Sequence, residues 1–142
     1  MNVQHILAQK GRKIEIASPD LPIAQAILHL ASKRIGALIV MDCAGALAGI
    51  ISERDIVRAL VAGAHALEDR VRDHMTELVV TCTPDTSVSD VMDLMTRGRF
   101  RHVPVIDGGE LVGLVSIGDI VKHRLAEIES EKSAIIAYIA AG

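Results

Sequence analysis

The chain repeats itself once, and this duplication limits the possible folds more than any other feature. The tripeptide Ser-Pro-Asp that begins at Ser18 returns as Thr-Pro-Asp 65 positions later, at Thr83, and the octapeptide that begins at Ile35 returns at the same interval, at Phe100. The stretches GIISERDIVRAL and GLVSIGDIVKHR then match at an interval of 64. The one-residue shift falls in a glycine-containing segment, where a turn tolerates an insertion. This repeat predicts two related structural units.

Both repeats carry the same order of predicted elements, β-α-β-β-α. A short β-rich run, Ile14–Ala17 or Leu78–Cys82, precedes a helix with 3.6-residue periodicity. Two strands joined by an Asp/Gly turn follow, and a second helix closes each repeat. These elements predict an α/β fold in which the two repeats pack about a pseudo-twofold axis. Residues 1–66 are expected to hold the N-terminal segment and first repeat, and residues 67–142 the second repeat with a helical tail.

Composition excludes several classes of function. Only 1% of the 142 residues are aromatic, so a stacking platform for single-stranded nucleic acid is not available. The net charge of −3 gives no basic surface for nucleic acid, and no uncharged stretch reaches the roughly 18 residues of a membrane span. Neither Cys43 nor Cys82 lies in a metal-binding spacing. We therefore expect a cytoplasmic protein with reduced thiols that interacts with neither nucleic acid nor a membrane.

The strongest local motif is Ser-x-x-Asp, found at Ser52–Asp55 and again at Ser116–Asp119, where a strand leads into a helix. One interpretation is structural, because serine and aspartate both cap helix N-termini. The other is functional: a carboxylate fixed at a strand end binds two adjacent ribose hydroxyls, while serine and free helix amides receive phosphate. A single copy favours capping, but recurrence in register favours ribose binding.

The duplicated stretches GIISERDIV and GLVSIGDIV resemble a tandem pair of CBS domains (named for cystathionine β-synthase), or Bateman module. The resemblance runs from about Ile14 to about Leu125 and implies a regulatory sensor without catalytic activity. Clefts between the two repeats would bind an adenosyl ligand such as AMP, ADP, ATP, NAD or S-adenosylmethionine and signal through a conformational shift. The resemblance also implies a homodimer. Because the repeats leave no room for an effector domain, it implies a stand-alone protein that acts on an unidentified regulated partner.

The resemblance also assigns residues to the binding of the ligand. Asp55 and Asp119 correspond to the ribose-binding aspartate of the family, and the motif serines to a contact with ribose or phosphate. Further expected contacts are a polar residue at the entrance of each repeat and a strand edge that meets the adenine. The complete expected set is Ser18, Gly36, Ala37, Ser52, Arg54, Asp55, Thr83, Phe100, Arg101, His102, Pro104, Ser116 and Asp119. One departure is Ile39, which stands where the second repeat has the usual proline, Pro104.

The two clefts are expected to differ. In the family, each cleft takes its Asp and Ser from one repeat and its strand edge from the other. Asp55 would then share a cleft with Arg54, Arg101 and His102, whereas Asp119 would lie in a smaller, neutral cleft. We expect the Asp55 cleft to hold a phosphorylated ligand more tightly, because cationic donors strengthen phosphate binding.

The C-terminal segment Ile120–Ala140 has a long helical pattern that ends in apolar side chains. It either contacts a second copy of the chain or folds back on its own chain, and we favour the dimer contact. A rival function is a ligand-independent dimeric scaffold in which the Ser-x-x-Asp motifs are only helix caps. No catalytic or metal-binding residue is predicted, because the chain shows neither a nucleophile–base arrangement nor metal-ligand spacing.

Overall fold

Residues 1–141 are described by a computed structural model, and they divide into two units. Residues 13–80 form the first-repeat unit, and residues 1–12 together with those from 81 onward form the second-repeat unit. These units differ from the sequence division expected after residue 66. Residues 1–12, which precede the first repeat, pack with the second repeat. Residues 67–80, which follow the first repeat, pack with the first repeat.

The elements follow the expected order in the first repeat and, apart from its first strand, in the second, with an additional helix at the N-terminus and two short helices between the repeats. In chain order they are α1 (Val3–Lys10), β1 (Ile16–Ala17), α2 (Ile23–Lys33), β2 (Ala37–Met41), β3 (Leu47–Ser52), α3 (Glu53–Leu60), a 3-10 helix (Ala64–Glu68), α4 (Val71–His74), α5 (Val88–Gly98), β4 (His102–Asp107), β5 (Glu110–Ser116) and α6 (Ile117–Ala141). The predicted α/β class is confirmed. No helix within residues 1–141 is both long and apolar enough to cross a membrane.

The first-repeat unit is built on a three-stranded sheet in the order β1-β2-β3. β1 runs parallel to β2, and β2 and β3 form an antiparallel hairpin. The turn is held by Asp42, whose Oδ1 accepts the amides of Ala44 and Ala46 at 2.9 Å each, and Gly45 takes the left-handed φ of 82°. The core of the first-repeat unit is formed by aliphatic side chains: Ala17, Ile23, Ala26, Leu30, Leu38, Val40, Ile51, Ile56 and Val71.

The second-repeat unit pairs β4 with β5 but lacks a counterpart of β1 among the described strands. The run Leu78–Cys82, predicted as a strand, makes one parallel bridge from Cys82 to Val105. In the first repeat, the amide of Ile39 donates to the carbonyl of Glu15 at 3.1 Å. Pro104 occupies the matching position and has no N–H to donate. The prediction of a strand at Leu78–Cys82 was therefore wrong over most of its length, because Pro104 cannot donate the hydrogen bond that Ile39 donates to Glu15 in the first repeat.

The N-terminal helix α1 completes the second repeat as α4 completes the first. Asn2, the residue before α1, forms an isolated antiparallel bridge with Ser87, the residue before α5. In the same way Arg70, before α4, forms a bridge with Pro22, before α2. The side chains of α1 that face the unit, Val3, Ile6 and Leu7, are at most 4% exposed. Residues 1–10 are thus part of the second-repeat core, although they lie outside the sequence repeat.

The last helix, α6, is buried only near its start. Ile120 and His123 are buried, whereas the described side chains from Ile128 to Ala141 are exposed. The predicted long helix is confirmed, and its apolar side chains Ile135, Ile136, Tyr138 and Ile139 are 56–82% exposed. The exposure argues against a tail folded back on its own chain.

Candidate functional site

Helix α3 begins at a reciprocal capping box between Ser52 and Asp55. The amide and hydroxyl of Ser52 donate to Asp55 Oδ2 at 2.9 and 3.0 Å, and the amide of Asp55 donates to Ser52 Oγ at 3.3 Å. Asp55 Oδ1 accepts a longer bond from Thr76 Oγ1 at 3.3 Å. One carboxylate oxygen therefore accepts the cap hydrogen bonds, while the other accepts one neutral hydroxyl and retains capacity for a further donor.

Helix α6 begins in the same way, with a cation added at the carboxylate. The amide of Ser116 donates to Asp119 Oδ2 at 2.9 Å, and the amide of Asp119 donates to Ser116 Oγ at 3.2 Å. Lys10 Nζ donates to Asp119 Oδ2 at 2.6 Å and to the carbonyl of Leu114 at the same distance. The Lys10 ammonium therefore binds the same oxygen of Asp119, Oδ2, that accepts the backbone amide of Ser116.

The surroundings of Asp119 shift the pKa of its carboxyl group. Burial alone would raise this pKa, but hydrogen bonds from Lys10 and Ser116, with the charge of Lys10, outweigh burial and lower it below the usual value. Asp119 is therefore a carboxylate at neutral pH. The sequence predicted neutral surroundings for Asp119. In the structure, Lys10 places a positive charge next to this carboxylate.

The predicted strand edges lie beside the helix start of their own repeat. The carbonyl of Gly36 accepts the amide of Glu53 at 3.0 Å, and the carbonyl of Arg101 accepts the amide of Ile117 at 2.8 Å. The next residue of each strand stands opposite the motif serine, as Ala37 pairs with Ser52 and His102 with Ser116. Each unit thus brings together a Ser, an Asp and the first residues of a strand.

Two of the predicted contacts shape their unit rather than present a free polar group. Phe100 packs against the buried cluster of the second repeat, and a β-carbon at Gly98 would lie 1.9 Å from its ring. Pro104 is buried within β4. Both side chains therefore contribute apolar surface and fix the course of the strand that leads to His102.

The remaining predicted contacts are exposed. Ser18 Oγ accepts the amide of Asp20 at 3.2 Å, and Thr83 Oγ1 lies 3.2 Å from Thr86 Oγ1. These bonds start the turns ahead of α2 and α5, so both hydroxyls have a local structural role as well as access to solvent. Arg54 and Arg101 are exposed too.

Sequence reasoning missed Lys10 and Thr76, the two residues outside the motifs that donate to the carboxylates among the described hydrogen bonds. A signal was present, because Val3 and Leu7 match Val71 and Met75 in spacing and apolar character. The two segments lie 68 positions apart, whereas the rest of the repeat keeps an interval of 64 or 65. A search at a fixed interval therefore passes over them.

An open groove of about 610 Å³ crosses the first-repeat unit between α2 and α3. Its volume lies in the range of small-molecule sites, and most of its lining is aliphatic. It reaches the α3 helix start through Gly36 and Glu53 and includes Arg34, which takes a left-handed φ of 55°. Asp55 is not among its lining residues, so this apolar groove lies near the helix start without including the motif carboxylate.

Three of the six histidines each lie beside a single carboxylate rather than in a metal site. His29 lies 2.9 Å from Glu15, His74 lies 2.7 Å from Asp69, and His123 lies 3.3 Å from Glu127. Within residues 1–141, no group of three or more His, Cys, Asp or Glu side chains is placed to hold a metal ion.

Comparison with known proteins identifies the family. The CBS domain family matches residues 11–62 and 71–126, so the chain belongs to this family and carries two CBS domains. It is 35% identical to the Arabidopsis thaliana protein named "CBS domain-containing protein CBSX3, mitochondrial", over 99% of this chain and 72% of that protein. It is also similar to the crystal structure of a CBS-domain protein from Agrobacterium tumefaciens, with a TM-score of 0.85 and 43% identity over 87% of this chain and 92% of that one.

Two similar solved structures contain adenosyl ligands. The CBS domain pair of protein MJ0100, in complex with 5′-methylthioadenosine and S-adenosyl-L-methionine, is 28% identical, with a TM-score of 0.79 over 89% of this chain and 98% of that one. The structure of CBSX2 in complex with AMP is 25% identical, with a TM-score of 0.68 over 80% of this chain and 88% of that one. Each of these two CBS-domain proteins therefore binds an adenosyl compound.

Proposed function

We propose that this protein is a regulatory sensor that binds adenosyl ligands, with Asp55 and Asp119 as the anchors of the ribose. The observation that carries the proposal is the duplicated carboxylate at a strand-to-helix junction. A rigid carboxylate that accepts from two adjacent hydroxyls is the usual way in which a protein holds a ribose. The complexes of similar CBS-domain pairs with AMP and with S-adenosyl-L-methionine support the same ligand class.

The two helix starts provide the remaining chemistry for such a ligand. Ser52 and Ser116 place hydroxyls next to the carboxylates, and the N-termini of α3 and α6 favour negative charge. Gly36 lies beside the Ser52–Asp55 motif and His102 beside the Ser116–Asp119 motif of its own repeat; in the crossed arrangement that the resemblance implies, each strand edge would meet the ligand of the other motif. We assign AMP, ADP, ATP or NAD as the ligand class, because phosphate is the group that these helix termini favour.

The regulatory step requires only that the ligand binds one arrangement of the protein better than another. We propose that this arrangement is read by a partner protein and that the protein acts as a cytoplasmic homodimer. The exposed apolar side chains of α6 support self-association, because apolar helix faces are seldom left in water. The protein would then regulate rather than catalyse.

A ligand-independent dimeric scaffold is the second candidate. The observation that favours it is the capping geometry itself, since Asp55 and Asp119 already accept helix-start hydrogen bonds. A cap accounts for Asp55 Oδ2, but Oδ1 accepts only the neutral Thr76 hydroxyl among the described hydrogen bonds and can accept a second donor. We therefore rank the sensor first.

Native mass spectrometry of the purified protein tests the proposal. We expect an adenosyl compound to co-purify, or AMP, ADP, ATP or NAD to raise the melting temperature when added. Guanosine nucleotides of equal charge are the matched control, because they share ribose and phosphate and differ in the base. A ligand-free protein whose melting temperature responds to no adenosyl compound would favour the scaffold.

A further inference from the structure

We propose that Lys10 competes with the ribose of an adenosyl ligand for Asp119, so that this lysine sets the affinity of the second-repeat site. The inference rests on the proposed function, since it assumes that Asp119 anchors a ribose. It adds a specificity-determining residue from α1, a helix outside the sequence repeat. The Asp119 site would then be closed by the protein's own side chain until a ligand displaces it.

The geometry shows an ammonium in the position of a ligand donor. Lys10 Nζ makes two short hydrogen bonds, to Asp119 Oδ2 and to the carbonyl of Leu114, each at 2.6 Å. Ribose hydroxyls would have to donate to this same carboxylate. Two adjacent ribose hydroxyls that engage both oxygens of this carboxylate need Oδ2, where the ammonium is the stronger donor because an ionised pair is stronger than a hydroxyl–carboxylate bond.

The first repeat offers the matched comparison. There the equivalent strand carbonyl, that of Ile50, accepts the backbone amide of Thr76 at 2.9 Å, and Asp55 Oδ1 accepts the hydroxyl of Thr76 at 3.3 Å. The strand carbonyl and the motif carboxylate are thus met by one neutral residue in the first repeat and by one cation in the second. Thr76 binds the oxygen of Asp55 outside the cap, whereas Lys10 binds the oxygen of Asp119 that also accepts the cap amide. Only the second carboxylate carries an internal counter-ion among the described ion pairs.

The backbone of Lys10 is held while its side chain can move. Buried residues of α1, among them Val3 and Leu7, fix the helix in the core of the second-repeat unit. The Lys10 side chain is 34% exposed and that of Asp119 is 21% exposed, so the pair borders solvent. The ammonium can therefore leave the carboxylate by rotation of the side chain, without undocking α1.

Calorimetric titration with adenosine tests the inference. Adenosine carries the ribose but no charge, so its binding reports the competition for Asp119 without phosphate attraction. The titrations use the Asp55→Asn background, which weakens the first-repeat site. We expect Lys10→Met, which keeps a long apolar side chain, to tighten adenosine binding by about two- to fivefold, the upper part of the range of a partly exposed ion pair. Lys13→Met, which removes the same charge from an exposed lysine, is the matched control and should leave the affinity unchanged.

Salt supplies a readout that a purely structural role would not move. Raising NaCl from about 20 mM to about 500 mM weakens a partly exposed ion pair. Adenosine affinity should therefore increase with salt in the protein with Lys10 and with Lys10→Arg, and this increase should disappear in Lys10→Met. Adding Asp119→Asn to Lys10→Met should remove the gain in affinity, because the ribose anchor is then lost.

The outcomes separate this inference from the proposed function. If adenosine binds and Lys10→Met leaves its affinity unchanged or weakens it, Lys10 does not compete and the inference is overturned while the function stands. If neither the parent protein nor Lys10→Met binds adenosine or AMP, the proposed function fails and the inference with it. Thermal unfolding of each variant verifies that the altered protein is folded.

Discussion

Leu7 of α1 and Gly113 of β5 are in such close contact that a β-carbon at position 113 would lie 2.6 Å from Leu7 Cδ2. Gly49 of β3 has the same relation to the segment after α4, where a β-carbon would lie 2.6 Å from the Thr76 carbonyl oxygen and 3.0 Å from Met75 Sδ. A glycine in each strand therefore admits a neighbouring segment that any side chain would push away. This pair of contacts shows that α1 is an integral part of the second repeat.

Shortening Leu7 should destabilise the protein. Leu7 is 2% exposed, and a buried leucine replaced by alanine typically costs about 2–5 kcal/mol. We expect Leu7→Ala to lower the urea midpoint accordingly. Gln9→Ala, an exposed change on the same helix, should alter stability by less than about 0.5 kcal/mol. Equal midpoints for the two variants would contradict the packing of α1.

The ion pair between Lys10 and Asp119 should stabilise the fold in a pH-dependent way. The pKa of Asp119 is lowered in the folded protein, so the unfolded chain takes up this proton first as the pH falls. The stabilisation is therefore complete above the unfolded value of about 3.9 and is lost as the pH falls through the lower folded value. Urea unfolding of the parent protein and Lys10→Met should show a stability difference that is constant from about pH 7 to about pH 5 and shrinks below about pH 4. A difference that is unchanged or larger near pH 3 would contradict the pair.

The two cysteines should react at very different rates. Burial raises the pKa of the Cys82 thiol to about 11, whereas Cys43 is exposed in the β2–β3 turn. Because the thiolate is the reactive form, iodoacetamide should label Cys43 in the folded protein and Cys82 only after unfolding. Mass spectrometry of the Cys43→Ser variant isolates the second thiol. Labelling of native Cys82 as fast as in urea would show that this segment is not packed.

Truncation after Glu131 should weaken self-association without destabilising the fold. The described residues from Lys132 onward are exposed, so their removal costs the folded chain little buried area. The loss of the apolar side chains Ile135 to Ile139 should lower the dimer fraction, which light scattering at micromolar concentration measures. An unchanged dimer would assign the tail another role, and a monomeric full-length protein would contradict the homodimer.

The sequence predicted the duplicated part of the fold well because the repeat, the turn residues and the helix caps are local signals. The Asp42 turn and the Ser52 and Ser116 helix starts occur where the pattern places them. The prediction of a strand at Leu78–Cys82 was wrong because Pro104, in β4, has no N–H to donate to this segment. Local periodicity carries no information about such a pairing.

The candidate site was predictable only in part. Asp55 and Asp119 are marked by a motif that recurs in register, and each lies at a helix start as expected. Lys10 is 109 positions from Asp119, in a helix that follows a different interval from the rest of the repeat. Its contact with the carboxylate depends on how α1 packs, which a single sequence does not encode as a motif.

Titration of AMP into the Asp55→Asn, Asp119→Asn double variant tests the central claim most directly. Asparagine retains a capping oxygen, so the protein should remain folded and lose only about 0.2–1 kcal/mol, the contribution of the partly exposed Lys10–Asp119 pair. It lacks the negative charge, and AMP binding at each site should weaken by about 1.5–3 kcal/mol per charged hydrogen bond lost. A folded double variant that no longer binds AMP at concentrations that saturate the parent is the predicted result. A double variant that binds AMP as tightly as the parent would show that the two carboxylates are helix caps and not ribose anchors.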